Sequence, residues 1–412
     1  MNNSKYIYRC TDCGRDYGGG ETIYLCPSCS KSQVPGEPPR GVLMTLYDYE
    51  AIKSRVSGFE GLMQKGFIDL LPLESIDPMP SLRVGNTPLY RTAELDGTKL
   101  PFALYLKDDS QNPTWSFKDR ASALVSAYAA ERGYGTIIAA STGNAGSSLA
   151  GICAAKRQRA VIVVPETAPQ AKLTQILMYG ATIVPVKGTY DEAFDLSVKA
   201  SEEFGWYNRN TAFNPLTIEG KKTASFELFE QLQYRVPDRI FIPAGDGVIL
   251  AGIYKGFLDL LQLGIIERMP VIVAVQSDKS DNLVRNIRGD KFCIVPSTTI
   301  ADSISVDIPR NFFMAKKFIK EHNGETVTVS DDTILNASKM LSAATGLFAE
   351  PAAAAAFAGF LSYFRDGIPA PGSSNVVLLT GSGLKDPGAV ESKIRMPASV
   401  YPSLDNLEKL MR

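Results

Sequence analysis

Histidine is what this sequence has least of: one residue, His322, in 412. A Ser-His-Asp triad or a His-rich metal centre would have to be built on it. It lies in the polar run Lys320-Glu321-His322-Asn323-Gly324 and reads as a solvated residue at a helix end. Proton transfer therefore falls to Lys, Asp, Glu or Tyr. An excess of either charge is also missing, with 43 Lys and Arg against 44 Asp and Glu. That balance gives no support to a nucleic-acid or membrane surface. No apolar run approaches the roughly 20 residues of a membrane-spanning helix. The start Met1-Asn2-Asn3-Ser4-Lys5-Tyr6 has no apolar core of a signal peptide. The expectation is a cytoplasmic protein whose partners are small molecules. Composition, 45% hydrophobic and 21% charged, is that of an ordinary globular chain, long enough for two or three domains.

Cysteine is scarce but clustered. Four of the six lie before residue 35, as Cys10-x2-Cys13, twelve intervening residues, then Cys26-x2-Cys29. Two such knuckles bring four thiolates onto one tetrahedral ion, the pattern of structural zinc. Disulfides are disfavoured in a cytoplasmic chain, and a redox Cys-x-x-Cys expects a βαβ context not found here. Four thiolates leave no open coordination position, so this expected zinc ribbon, residues 1–35, is not the active site. Tyr6, Tyr8, Tyr17, Ile23 and Tyr24 read as short strands beside the ligands. Cys153 and Cys293 read as small packing residues.

Residues 33–40, rich in Pro and Gly, read as a linker. Beyond residue 100, short apolar runs alternate with helical patterns. Strands are expected at 102–107, 136–140, 160–165, 182–186, 239–243, 271–276 and 375–380. Helices are expected at 118–132, 143–156, 169–179, 191–204, 248–263, 332–344 and 351–365. Wholly apolar strands alternating with helices define an α/β class with parallel sheets covered on both faces.

One stretch organises the rest: Pro113-Thr114-Trp115-Ser116-Phe117-Lys118-Asp119-Arg120. Asn112-Pro113 marks a turn, so Lys118 falls at a loop-to-helix junction, where the helix dipole favours the neutral amine. A neutral amine is what a Schiff-base lysine needs. Alone it would read as a surface lysine in a first turn. Three later motifs give it context. Ser141-Thr142-Gly143-Asn144-Ala145-Gly146 follows a strand and opens a helix, offering hydroxyls and free N–H groups to a carboxylate; a plain helix cap is the simpler alternative. Pro243-Ala244-Gly245-Asp246-Gly247-Val248-Ile249 is a strand, a glycine turn and a helix start, suited to a single phosphate. It does not match the dinucleotide fingerprint. Thr380-Gly381-Ser382-Gly383-Leu384-Lys385-Asp386 ends the last strand, where α/β proteins place ligand contacts.

Taken together these motifs resemble the threonine synthase-like branch of the fold type II pyridoxal-phosphate (PLP) enzymes, the tryptophan synthase β-like fold. Gly85-Asn86-Thr87-Pro88-Leu89, Glu219-Gly220-Lys221-Lys222-Thr223 and Glu350-Pro351-Ala352 are similar to family segments too. The resemblance implies two parallel-sheet domains with the cofactor in the cleft between them, beside the zinc ribbon. It implies an N-terminal arm and the start of the large domain at 36–105, a small domain at 106–214 and a large PLP domain at 215–412. Lys118 would carry the cofactor covalently and move protons. Gly245, Asp246, Gly247, Val248 and Ile249 would hold its phosphate, Asn144 its ring hydroxyl and Thr380 its ring nitrogen. Ser141, Thr142, Asn144 and Ala145 would receive the α-carboxylate of an amino-acid substrate. A neutral hydroxyl at the ring nitrogen suits elimination and replacement. A homodimer is expected by resemblance, with a further subunit open.

Three positions depart from the family: Ala145 where a threonine is usual, Thr217 where an arginine is usual, and Ser382 where a histidine is usual. The family's second phosphate site therefore has to be found elsewhere, with Lys107, Arg120, Lys221 and Arg310 as candidates. Threonine synthase is one reading. An ammonia-lyase, a cysteate synthase-like enzyme or the PLP subunit of an amino-ketoacid thiolase is another, and a non-catalytic homologue a third.

Overall fold

The first strands come from the cysteine-rich segment. In the computed structural model, which describes residues 5–289 and 291–411, β1 (Tyr6–Cys10) pairs antiparallel with β2 (Asp16–Gly18) and with β3 (Leu43–Tyr47). Met1–Ser4, part of the run read for a signal peptide, lie outside the described residues. The period-two pattern of a strand buries Tyr6, Tyr8 and Cys10 from β1 and Leu43 and Tyr47 from β3. Ile23 and Tyr24 do not form the expected strand. Tyr24 packs outward instead, stacking on Phe213 at 4.7 Å between ring centroids and accepting the Asn208 N–H. Aromatic docking onto the neighbouring layer outweighs strand extension there.

Two short helices follow, α1 (Tyr49–Arg55) and α2 (Gly58–Gln64), then the edge hairpin β4 (Leu89–Leu95) and β5 (Thr98–Asp108). Next come α3 (Lys118–Glu131), β6 (Thr136–Ala140), α4 (Asn144–Lys156), β7 (Arg159–Pro165), α5 (Gln170–Met178), β8 (Thr182–Val186), α6 (Tyr190–Phe204) and β9 (Tyr207–Asn208). The rest is α7 (Leu216–Gln231), β10 (Arg239–Pro243), α8 (Val248–Gln262), β11 (Val271–Ser277), α9 (Asn282–Arg288), α10 (Phe312–Glu321), β12 (Glu325–Val329), α11 (Asp331–Thr345), α12 (Pro351–Arg365), β13 (Ser374–Leu379) and α13 (Leu404–Met411).

Two layered sheets result. One has six strands in the order β12-β11-β10-β13-β5-β4, parallel except for β4. The other is wholly parallel, in the order β8-β7-β6-β9. Ile240, Phe241 and Ile242 of β10 are all fully buried, as a strand covered on both faces demands. Helix α12 buries Ala352 through Ala356 and Ala358; small side chains let it lie close against the sheet. Cys153 is buried within α4 as expected, but Cys293 is exposed. Its own peptide N–H and C=O bond the Asn286 side chain, which ties down the backbone and leaves the thiol outside. His322 ends α10 and is half-buried beside the rings of Tyr254 and Phe318, not freely solvated.

Helix α7 had no counterpart among the expected elements. It is buried nearly all round, charges included: Glu219, Lys221 and Lys222 are inaccessible, so no polar outer face marks it as amphipathic. Lys222 pairs with Glu219 and, at 2.7 Å, with Asp259, which also takes Lys255. Tyr47 donates to Glu219 and Tyr49 to Asp259, so the end of the cysteine-rich segment is pinned to the α7–α8 pair. At the other end of α7, Glu227 receives Lys107 at 2.8 Å and Arg120 at 2.7 Å, and Arg120 also holds Asp109 at 2.6 Å. These cations hold the Glu227 carboxyl down to about 2 against the cost of its burial. Removing one partner of a buried pair leaves an uncompensated charge and costs about 3–5 kcal/mol. Arg120→Met is thus expected to lower the urea unfolding midpoint by the equivalent of about 3–5 kcal/mol; an unchanged midpoint would show the network to be dispensable.

Candidate active site

Strand ends from both sheets point at one cavity. Lys118, Ser141, Thr142, Asn144, Ala145, Gly245, Asp246, Gly247, Val248, Ile249 and Thr380 all line it. Each loop leaves the C-terminal end of a parallel strand: 141–145 follows β6, 244–247 follows β10 and Thr380 follows β13. That is where an open α/β sheet leaves a crevice.

Each position has a local cause. Lys118 is the first residue of α3. The loop before it is fixed by Asp119, whose carboxylate accepts the Thr114 N–H at 2.7 Å and the Thr114 hydroxyl, while the Phe117 N–H donates to the Thr380 carbonyl at 2.9 Å. Burial lowers the pKa of the Lys118 amine; Glu350 opposes that shift, the Arg209 guanidinium adds to it, and Asp246 opposes it in turn. The neutral amine expected from the helix start is therefore favoured chiefly by the loss of water. Gly247 adopts φ +82 just before α8, and a Cβ there would meet the Ala315 Cβ at 3.0 Å. At Gly245 a Cβ would meet the Ile304 Cα at 3.0 Å. Both glycines let the turn close over the first free N–H groups of α8, a cradle shaped for a phosphate.

Other residues at the site carried weaker signals in the sequence. Asn144 donates from its amide to the Glu350 carboxylate at 2.9 Å and to the Ser303 hydroxyl at 3.0 Å. Glu350 is buried, which raises its pKa, and Gly381 leaves it room, since a Cβ there would stand 2.5 Å from the carboxylate. The Glu-Pro pair opening α12 was its only trace. Of the four candidate cations, Lys107 and Arg120 are committed to Glu227. Arg310 lines the cavity but pairs with Asp191 and stacks over Phe194 at 3.9 Å. Lys221 also lines the cavity. Thr217 bonds the Asn214 carbonyl and Ser382 caps the next turn; neither lines the cavity. A second cavity adjoins the first, sharing Gly143, Asn144, Asp302 and Ser303 and opening past Trp115, Gln175 and Leu384. The Lys172–Asp302 ion pair, 2.7 Å, borders the shared segment.

Away from the cavity, the sulfurs of Cys10, Cys13, Cys26 and Cys29 lie within 4.8 Å of one another. Cys10–Cys29 and Cys13–Cys26 are each 3.8 Å apart. A tetrahedral site with metal–sulfur bonds of about 2.3 Å has edges of about 3.8 Å, so the cluster could hold one metal ion.

A half-buried lysine at a helix start, a glycine turn opening a second helix and a neutral hydroxyl at a strand end fit a PLP site, and the comparisons agree. The chain belongs to the family of pyridoxal-phosphate dependent enzymes, whose match spans residues 80–381. Within it, the chain falls in the threonine synthase-like branch of fold type II. It is 34% identical to the threonine synthase of Methanocaldococcus jannaschii over 98% of this chain and 99% of that one. It is 34% identical to the threonine synthase of Methanosarcina acetivorans over 98% of each. The solved processed form of threonine deaminase isoform 2 from Solanum lycopersicum superposes with a TM-score of 0.65 over 86% of this chain and 94% of that one. At 23% identity that likeness bears on the fold alone. The protein is thus a PLP-dependent elimination or replacement enzyme of amino-acid metabolism.

Lys118→Ala is expected to abolish the visible absorbance of the covalently held cofactor after dialysis, and to cut turnover by at least about 10²–10⁴-fold, the range of a lost acid–base group. A variant keeping both would remove Lys118 from the chemistry.

Proposed function

We propose that the protein converts a phosphorylated homoserine and water to threonine and inorganic phosphate, the phosphate leaving the side chain and water adding at Cβ. The observation that carries this reading is that one cavity gathers the Lys118 amine, the helix start at 141–145 and the glycine cradle at 245–249. Near-full-length likeness to threonine synthases supports it. When bound, PLP supplies an electron sink for negative charge at the substrate's Cα. Ser141, Thr142 and the N–H groups opening α4 receive the substrate's α-carboxylate. Gly245 to Ile249 would seat the cofactor phosphate, Asn144 would bond its ring hydroxyl, and Thr380 would offer an uncharged hydroxyl to the ring nitrogen. Lys118, whose basicity burial lowers, takes and returns protons at the substrate's carbon atoms.

One observation favours a second reading. Ala145 has no hydroxyl, and Thr217 and Ser382 spend theirs on the backbone, which leaves the substrate phosphate without the family's usual contacts. A lyase acting on an unphosphorylated hydroxy amino acid would need none of them. Phosphohomoserine offered to the cofactor-loaded protein should release phosphate and threonine in equal amounts. Ammonia released from serine or threonine, with no phosphate from phosphohomoserine, would select the lyase.

The four-thiolate cluster is proposed to hold structural zinc, closed to substrate. Metal analysis should find one zinc per chain, and chelation should lower the melting temperature while leaving the cofactor's absorbance in place; loss of the absorbance first would place the metal at the cofactor site. A homodimer in the cytoplasm completes the proposal. Among the described residues no helix is long and apolar enough to cross a membrane.

A further inference from the structure

Four lysines are fully buried among the described residues: Lys107, Lys221, Lys222 and Lys255. Three are neutralised by acids, Lys107 by Glu227, Lys222 by Glu219 and Asp259, and Lys255 by Asp259. Lys221 is the exception. Its Nζ has no hydrogen-bond partner, and the residue lines the cavity with Lys118 and the glycine cradle. A buried polar group left unsatisfied is a cost to the fold, so an amine kept in this state points to a group that arrives from outside.

The backbone is arranged to put the amine there. A Cβ at Gly252 would stand 2.6 Å from the Lys221 Cβ, so glycine at that place lets the lysine stem lie against α8 near its start. Gly220, next to Lys221, lets α7 close on α3, since a Cβ there would meet the Arg120 carbonyl at 2.3 Å. Burial lowers the Lys221 pKa well below that of an ordinary lysine; the charges of Arg209 and Lys118 add to this, and Asp246 is the acid that opposes it. Arg209 is also fully buried, with Nη2 unpartnered. Arg209 thus stands behind the cavity wall as a second buried cation with an open donor, close enough to act on the Lys221 amine.

We propose that Lys221 is an anion ligand of this cavity, its Nζ donating to an oxygen of a phosphate group seated at the start of α8. Two sources carry that chemistry: the phosphate of the cofactor and the phosphate of the substrate. The inference rests on the cavity being the PLP site and is independent of which amino acid is consumed.

Lys221→Met, which keeps the apolar stem and removes the charge, tests it by binding. Cofactor-free protein is titrated with PLP and with pyridoxal, which lacks the phosphate, following visible absorbance. Cofactor-loaded protein is titrated with inorganic phosphate by calorimetry. If Lys221 holds the cofactor phosphate, the variant binds PLP about ten- to a hundredfold more weakly, the effect of one hydrogen bond to a charged group, with pyridoxal binding unchanged. If it holds the substrate phosphate, PLP affinity is kept and inorganic phosphate binding to the loaded protein falls by the same factor. A folded variant that binds all three ligands as the wild type does overturns the assignment. Should the methionine variant not fold, Lys221→Gln takes its place under the same criteria. Failure of the PLP reading itself would show separately, as a wild-type chain that does not bind the cofactor.

Discussion

A guanidinium almost without access to water, Arg120, holds this structure in register. It stands two residues beyond Lys118 and reaches the carboxylates of Asp109 just past the end of β5 and Glu227 on α7, while its Nη1 and Nη2 also donate to the hydroxyls of Thr223 and Thr87. Such a group is tolerable only when its donors are satisfied. The requirement fixes three elements at once: the strand that precedes the active-site loop, the helix that carries the lysine, and the helix that walls the cavity. Gly85, at φ +78, is part of the same constraint, since a Cβ there would stand 2.5 Å from Glu227. The Lys118 amine is thus placed by ion pairs that lie outside the cavity it lines.

The same helix α7 serves two electrostatic purposes. On one side Lys222 meets acids and binds the core to the end of the cysteine-rich segment through Tyr47 and Tyr49. On another, Lys221 meets the cavity with no acid bonded to it. Adjacent lysines, both buried, differ only in what the fold sets opposite them. The C-terminal motif is tied in similarly: Lys385 donates to Ser147 and Gln175 of the four-stranded layer and to the Thr114 carbonyl. Through that amine the end of the large sheet, the lysine loop and the neighbouring layer share one junction beside the cavity.

Much of this could be read in advance because its causes are local. The strands from 136–140 to 375–380 announce themselves as short apolar runs, and the observed ends agree within a residue or two. Loops 141–145 and 245–249 were recognisable because hydroxyl- and glycine-rich turns sit between strand and helix, although only their occurrence together with the Lys118 stretch set them apart from plain helix caps and turns. Helix α7 was not legible, because its buried charges erase the polar face that helical periodicity relies on. Strand β4, an edge with a mostly exposed or half-buried pattern, the strands β9 and β12 and the helices α9 and α10 escaped as well. Glu350 was noticed only within a family-like segment, Glu350-Pro351-Ala352, and the structure sets it as the acid facing Asn144 and Lys118.

By itself, the order of residues determined the alternation of strands and helices, the four-thiol pattern, the lysine at a helix start and the glycine turn before α8. Each of these depends on neighbours within a few positions, through backbone geometry and side-chain period. Tertiary structure alone decided which charges are spent on one another and which stay available to a ligand. Lys107 finds Glu227 across 120 positions and Arg120 across 107, whereas Lys221 has no such partner. Coulomb attraction and desolvation act through space, so pairing at that separation is settled only when packing brings the helices together.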